Sequence, residues 1–432
     1  MVPELTDAGA RARSRIAWRL LPFLFLLYVV NYLDRTNIAY ATLGMKGELG
    51  LTDSVFGTAS GIFFVGYLLL QIPGAVLVER WSARLLLAIT LIAWGLLTVL
   101  TGLVRTRAEL YGARLLLGAA EAAFFPAVIV YLSHWFVFKD RAKAVARFMS
   151  AIPVAAIIGG PLAGAILGVS WLGLPGWRWL FFLEGVPAVI LGIVTFFVLR
   201  DRPSDAPWLP ADEREWLTTE LRKEQQAKAD VAQISTWQAL RSWPVLLLTL
   251  ALFFCYAGGY AFWFWMPTML KRMTEWDVQS IGLISAIPFL AGLVGMLVVG
   301  WNSDRLAERR WHFAVPQLTA AAALLAWLFL PHSPAVLVAL FTLVGFGTSA
   351  HLPAFWALPT TFLSASAAAA AIGFINCVAS IGGFFGPKLI GTLSERTGSF
   401  EAGFVFMSAC LVVGSVLVLM CPRERSAQVA GT

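Results

Sequence analysis

The apolar residues of this chain come in long runs. Twelve stretches, each near the ~20 residues that a helix needs to cross a bilayer, follow one another with charged loops between them. Their approximate limits are 17–40, 54–78, 83–103, 107–135, 142–168, 178–199, 243–270, 279–300, 312–331, 334–357, 365–391 and 399–421. A bilayer offers no water to the backbone, and a helix satisfies its own N–H and C=O groups within one segment. A membrane β-barrel would need segments of about ten residues with alternating polarity, and none is present. Composition agrees: of 432 residues, 59% are hydrophobic and 13% charged, against about 25% charged in a typical soluble protein. Mean hydropathy is +0.76. The expected fold class is an all-α membrane protein of twelve transmembrane helices.

The net charge of +7 is a matter of topology here, because the basic residues lie in loops between spans. With the N-terminus in the cytoplasm, 22 of the 32 basic residues fall on the cytoplasmic face and 8 on the other, while Arg35 and Arg114 lie inside spans. The positive-inside rule then places both termini in the cytoplasm, and no nucleic-acid partner is expected. Arg11, Arg13, Arg15 and Arg19 resemble a signal-peptide n-region, but the apolar run that follows exceeds signal length and is read as a retained first span. Cys255, Cys377, Cys410 and Cys421 lie in or at the ends of spans without metal-ligand spacing, and are read as packing residues. No metal is expected.

A polar segment divides the chain into a six-helix bundle at 1–200, a cytoplasmic linker at 201–241 and a second six-helix bundle at 242–432. In the linker, Asp212 followed by Glu215 forms a capping-box pattern. Trp216, Leu217 and Leu221 form one apolar stripe, which predicts a short amphipathic helix on the cytoplasmic face. The halves echo each other. GWNSDRLAERR after span 8 carries Gly300, Asp304 and Arg305, and AVLVERWSAR after span 2 carries Ala75, Glu79 and Arg80. A two-fold repeat of six-span bundles is a transporter architecture, with substrate near the bilayer midplane at the repeat interface.

Four charges sit at membrane depth: Asp34 and Arg35 in span 1, Arg114 and Glu121 in span 4. Each costs on the order of 2.5–3.5 kcal/mol by insertion scales, and together they sum to zero. Arg114 and Glu121 are seven residues apart, on one helix face and about 10 Å apart along the axis, with Gly118 between them. That is too long for a tight ion pair on one straight helix. It suits a cavity in which a substrate carboxylate meets Arg114 while Glu121 handles a proton. Asp34 and Arg35 are adjacent and point about 100° apart. Arginine fits an anionic substrate because its fork binds a carboxylate bidentately and stays charged. A proton-coupled carrier also needs an acid that is neutral in one state and ionised in another; Glu121 is the first choice and Asp34 the second. The competing structural reading is a neutral network that locks spans 1 and 4 together.

Span 7 reads YAGGYAFWFWMPT, in which Trp263 and Trp265 are equally readable as an aromatic interfacial belt. Asn376 is polar at depth in span 11, where a substrate or gate contact is expected. His351 in span 10 is a candidate contact too, although a packed, satisfied histidine is the commoner case; His134, His312 and His332 lie near span ends. Gly160, Gly164 and Gly168 form a small-residue stripe for close helix packing. Glu184 and Arg178 are read as a structural pair at the start of span 6.

These stretches in order resemble the major facilitator superfamily, and within it the anion:cation symporter family. The residues that carry the resemblance are NYLDRTNIA in span 1, RLLLGAAEAAFFPA in span 4, RWLFFLEGVPA in span 6, FWMPT in span 7, GWNSDRLAERRWH after span 8, FWALPT after span 10, and IN followed by GGFFGP in span 11. The pattern is similar to bacterial permeases for tartrate, sugar acids, phthalate or hydroxyphenylacetate. The resemblance implies two pseudo-symmetric bundles and import of a small organic anion with protons by alternating access. It further implies the proton gradient as energy source with no cofactor, a monomer, and a place in the bacterial cytoplasmic membrane. It assigns Tyr260 to the cavity lining; Arg114, Arg35, Asn376 and His351 join it as candidate substrate contacts on the reading of the residues given above. Glu79, Arg80, Asp304 and Arg305 become cytoplasmic gate residues. The chain departs from the family pattern at Glu79 and Ala75, where Asp and Gly are usual, at Ser380, where relatives often have a second Asn, and at His351. A uniporter or anion exchanger on the same fold is the nearest alternative. A membrane sensor would need a large signalling segment, and the longest loop is 201–241; an enzyme would need a nucleophile–base pair, an HExxH motif or a phosphate loop, and none is present.

Overall fold

A computed structural model of the chain describes residues 2–229, 240–363 and 365–422, and they are almost wholly helical. In order the helices are α1 (Val2–Glu48), α2 (Asp53–Arg80), α3 (Ala83–Thr101), α4 (Arg107–Glu121), α5 (Phe124–Trp135), α6 (Phe138–Met149), α7 (Ala151–Leu167), α8 (Gly176–Val198) and α9 (Ala211–Ala229). They continue with α10 (Trp243–Met273), α11 (Val278–Leu306), α12 (Arg310–Ala326), α13 (Pro334–Ala350), α14 (Leu352–Ala357), α15 (Pro359–Phe362), α16 (Ala365–Thr397) and α17 (Glu401–Leu419). A two-strand antiparallel hairpin, β1 (Ser170–Trp171) with β2 (Leu174–Pro175), precedes α8. Its two turn residues, Leu172 and Gly173, both have positive φ, as a type I′ hairpin requires.

Eleven helical segments among the described residues are long and apolar enough to cross a membrane. The twelfth expected span, 312–331, is α12, an apolar helix of 17 residues followed by a turn. Span 4 is not one helix. It breaks at Ala122–Ala123, between α4 and α5. Pro126 lacks the N–H that would bond the carbonyl of residue 122, so the ladder loses a rung there and Glu121 ends α4.

α1 runs beyond the expected limits of 17–40 at both ends. Its arginine-rich start stays helical because it is tied down. Arg11 donates to Asp212 at 2.7 Å, Arg15 donates to both oxygens of the buried Glu213 at 2.9 and 3.2 Å, and Arg13 Nη2 donates to Asp140 at 2.6 Å. The linker helix forms as expected, but its cap differs. α9 begins at Ala211, after Pro210, so Asp212 lies in the first turn and gives its carboxylate to Arg11. That guanidinium holds the Asp212 carboxyl below its ordinary range. Leu217 is buried, and the Trp216 ring packs so close to Gly9 that a Cβ there would meet it at 2.6 Å.

The chain forms two compact units. One comprises Met1–Asn37, Val65–Ala156 and Arg178–Ala232, and the other Ile38–Phe64, Ile157–Trp177 and Gln233–Thr432. The division differs from a simple cut at the linker, since two segments of the first half group with the second. Glycine explains this grouping. A Cβ at Gly160 of α7 would lie 2.6 Å from the Gly282 carbonyl oxygen of α11, and one at Gly61 of α2 would lie 2.6 Å from the Phe384 carbonyl oxygen of α16. In a bilayer the lipid tails are as apolar as leucine, so helix association relies on van der Waals contact, and small residues allow the backbones to meet. The Gly160–Gly164 stripe is thus the seam between α7 and α11. A Gly160→Val substitution forces a side chain into that seam and destabilises the protein by about 1–3 kcal/mol, as overpacking does. The check is a lower midpoint in thermal unfolding of the detergent-solubilised protein.

Candidate functional site

In the first unit, the four intramembrane charges come together. Asp34 and Arg35 leave α1 in different directions, as adjacent helical residues must. Arg35 turns toward α4, where its Nε donates to Glu121 Oε1 at 2.9 Å and its Nη2 bonds the same oxygen. The guanidinium also lies over the Tyr67 ring, 5.2 Å from its centroid. Glu121 is 1% exposed, and its Oε2 has no hydrogen-bond partner among the described residues. Arg114 is fully buried and lies within electrostatic range of Glu121, Asp34 and Arg35.

Asp34, also fully buried, takes the other direction. Trp94 Nε1 of α3 donates to its Oδ2 at 2.8 Å, and Asn37 Nδ2, one turn on, donates to its Oδ1 at 3.4 Å. Glu184 of α8 lies within electrostatic range of Asp34. The expected Arg178–Glu184 pair is corrected here. Six residues on a helix end up about 120° apart around the axis, so the two side chains diverge. Arg178 donates to the carbonyls of Gly102 and Val104 at 2.8 and 3.2 Å, whereas Glu184 is buried.

In the second unit, Tyr256 OH donates to Asn376 Oδ1 at 3.1 Å, which joins α10 to α16. Tyr260 stacks one turn further, edge-on to Tyr256 at 5.1 Å and against Phe64 at 4.6 Å between ring centroids. His351, at the end of α13, is buried edge-on against Phe313. Its Nδ1 lies 3.3 Å from the Gly347 carbonyl oxygen, while its Nε2 has no partner. In the last turns of α11, Asp304 pairs with Arg309 at 2.6 Å, and Arg305 lies over the Trp301 ring. Ala307 in the left-handed region turns the chain there. The side chains of Glu79 and Arg80 lie outside the described residues.

Two features were not anticipated from sequence. Glu184 was assigned to the wrong partner. The other is a polar cluster at the helix ends remote from the N-terminus. There Asp53, at the start of α2, accepts from Arg272 Nη1 at 2.7 Å and from Ser394 Oγ at 2.7 Å, and pairs with Lys46. Glu395 accepts from the Ser54 backbone N–H at 2.8 Å. Asp53 alone reads as a helix-start residue, and partners hundreds of positions away leave no local signal.

The fold and its buried charges define a multi-pass membrane transport protein and not an enzyme. The family model for the Major Facilitator Superfamily matches residues 24–387, and the chain belongs to that family. It is 40% identical over 419 residues to a putative tartrate transporter of Agrobacterium vitis, covering 97% of this chain and 96% of the relative. It is 37% identical over 421 residues to the putative metabolite transport protein NicT of Pseudomonas putida, covering 97% and 96%. Among solved structures, the inward-open xylose transporter XylE of E. coli superposes with a TM-score of 0.76 at 14% identity, covering 95% of this chain and 98% of that one; at this identity the likeness concerns the fold.

The Arg35–Glu121 pair generates a stability prediction. Arg35→Ala leaves a buried carboxylate without its partner and costs about 3–5 kcal/mol, whereas removing both partners costs much less. Thermal unfolding of Arg35→Ala, Glu121→Ala and the double variant measures the coupling; additive losses would mean that the pair contributes nothing.

Proposed function

We propose that the protein imports a small organic carboxylate with protons by alternating access, across a bacterial inner membrane and with both termini in the cytoplasm. The observation that carries this reading is the placement of Arg35 and Arg114 around Glu121 at membrane depth. The distribution of basic residues and the names of the bacterial relatives support the orientation and the substrate class. A tartrate, a sugar acid or an aromatic acid fits this chemistry.

Charge balance supplies the coupling. The set Asp34, Arg35, Arg114 and Glu121 is neutral when all four are ionised. A carboxylate that entered alone would leave an uncompensated negative charge in a medium where such a charge is costly. A proton on Glu121 breaks the ion pair, frees the Arg35 guanidinium and offsets the incoming charge. Arg114 and Arg35 then both face the substrate carboxylate, Arg114 as the buried anchor. Release reverses the order: the carboxylate departs, Arg35 returns to Glu121 and the proton leaves. Asp34, held by Trp94 and Asn37, is the second proton site in this reading. Tyr260, Asn376 and His351 are proposed as further substrate contacts, and Glu79, Arg80, Asp304 and Arg305 as gating groups that hold one conformational state through helix-end contacts. The cluster around Asp53 is proposed as their counterpart at the opposite helix ends, broken in each transport cycle.

The substrate class is tested first by thermal shift of the purified protein against tartrate, galactonate and phthalate, since a ligand that binds the folded state raises its stability by mass action. In proteoliposomes, an imposed pH gradient then drives accumulation of the ligand so found. Arg114→Lys, which loses the bidentate fork, reduces uptake at least tenfold. Glu121→Gln abolishes accumulation but keeps substrate counterflow. Accumulation by Glu121→Gln at the wild-type level would overturn its role, and wild-type uptake indifferent to the pH gradient would point to a uniporter or exchanger.

A further inference from the structure

Between α11 and α12 the chain builds a closed set of polar contacts that the proposed transport cycle leaves unused. The Glu308 N–H donates to the Ser303 carbonyl at 3.2 Å, and Ser303 Oγ donates back to the Glu308 carbonyl at 2.6 Å. Arg309 Nη1 donates to the same hydroxyl oxygen at 2.9 Å. The Glu308 carboxylate turns to the start of α12, where it accepts from the Trp311 N–H at 2.8 and 3.0 Å and from the His312 N–H at 3.2 Å. The His312 ring closes the set. Its Nδ1 lies 2.8 Å from Glu308 Oε2, and its Nε2 lies 2.9 Å from Asn302 Nδ2. With 13% of its side chain exposed, His312 is held by these partners and still exchanges protons with water.

Hydrogen-bonding capacity fixes where the protons sit. A carboxylate only accepts, so His312 Nδ1 carries the hydrogen. Burial opposes the charge of Glu308, but the bonds from the Trp311 N–H and the His312 side chain outweigh it and hold the carboxyl below its ordinary range. In the neutral imidazole Nε2 is then an acceptor, and it takes the Asn302 amide N–H. A proton added at Nε2 sets donor against donor, and the amide has to turn over to offer its oxygen. The same proton turns the His312–Glu308 hydrogen bond into an ion pair. Imidazole is the side chain that makes such a change between about pH 5 and 8.

The charged and titratable groups around His312 can be named by element. α11 brings Asp304, paired with Arg309, and Arg305, over Trp301. α12 brings Arg310, and Cys421, just past α17, lies within electrostatic range of it. α17 itself carries Glu401 and Cys410 further from that end. His351 lies against Phe313, the next residue of α12. α13 and α14 carry no titratable side chain.

We propose that His312 is a proton sensor on the cytoplasmic face, which slows uptake as the cytoplasm acidifies. Protonated His312 pairs with Glu308 and turns Asn302, and the turn at 303–308 that carries Asp304 and Arg305 is held more firmly. A gate held more firmly opens less often. An importer that brings protons in acidifies the side on which His312 stands, so the sensor limits the proton load. The proton binds and departs as H+, and no co-reactant is required. This inference rests on the orientation and the gating role proposed above.

Two measurements test it. The first needs no substrate. The chain has four histidines, so NMR of the purified protein in lipid bilayers, labelled with nitrogen-15 at histidine, resolves each ring, and His312→Gln identifies the His312 signals. An Nδ1–H tautomer that becomes imidazolium on acidification is expected; a ring that stays in one form down to about pH 5 overturns the proposal. The second measurement uses right-side-out membrane vesicles and counterflow of labelled tartrate, or of galactonate if tartrate gives no flux. The outer pH is fixed and the inner pH lowered. Wild-type exchange is expected to slow about threefold, the scale of one partly exposed ion pair. His312→Gln, which takes no proton, is expected to lose that response, and slowing of equal size in this variant overturns the proposal. If it does not assemble, Glu308→Gln replaces it: the amide still caps α12 but forms no ion pair, and an unchanged response overturns the proposal. Slowing on outer instead of inner acidification overturns the orientation and the proposal with it. Vesicles that exchange neither anion refute the substrate reading, and the NMR titration then decides the sensor alone.

Discussion

Everything in the first unit depends on the contact between Arg35 and Glu121. Charges at membrane depth are tolerated when they compensate one another or meet water. Here the compensation crosses from α1 to α4 and so ties two helices that share little else of polar character. The break in span 4 that Pro126 causes leaves this carboxylate at the end of α4. A buried pair of this kind is poor value as a stabiliser, because apolar residues of similar volume join helices at least as well. Its presence is better explained by a requirement for charge that can be exchanged.

Close packing at glycines is a feature of both units, with Gly95 against Gly185 in the first. Tight contacts recur at glycines, with backbone carbonyls where a Cβ would otherwise be: Gly160 against Gly282, Gly61 against Phe384. Polar contacts are few and local to helix ends, as around Asp53, or to single positions such as Tyr256 with Asn376. Glycine seams join helices through van der Waals contact with few specific bonds.

Much of the architecture was legible in the chain itself. The apolar runs predicted the spans because each must satisfy its backbone alone, and the charge deficit excluded a soluble protein. Of the site, Asp34, Arg35, Arg114 and Glu121 stood out because charges at membrane depth are expensive. Glu184 stood out as well, but it was given to Arg178 on proximity in sequence, although six residues on a helix diverge. The capping box at Asp212 does not form, since the helix starts at Ala211 after Pro210, two positions earlier than that cap requires, and an arginine from α1 takes the carboxylate.

The sequence by itself determined where the apolar helices lie and the identity of the charges at membrane depth, because burial in lipid is a property of each segment. Partnership was decided by the tertiary structure. Arg35 pairs with Glu121 across 86 positions, and Asp53 meets Arg272 across 219. Trp94 of α3 reaches Asp34 of α1 across 60 positions. A side chain's direction about its own helix follows from 3.6-residue geometry. What it meets there depends on which helix the glycine seams and proline breaks bring alongside, and that is a property of the whole packed chain.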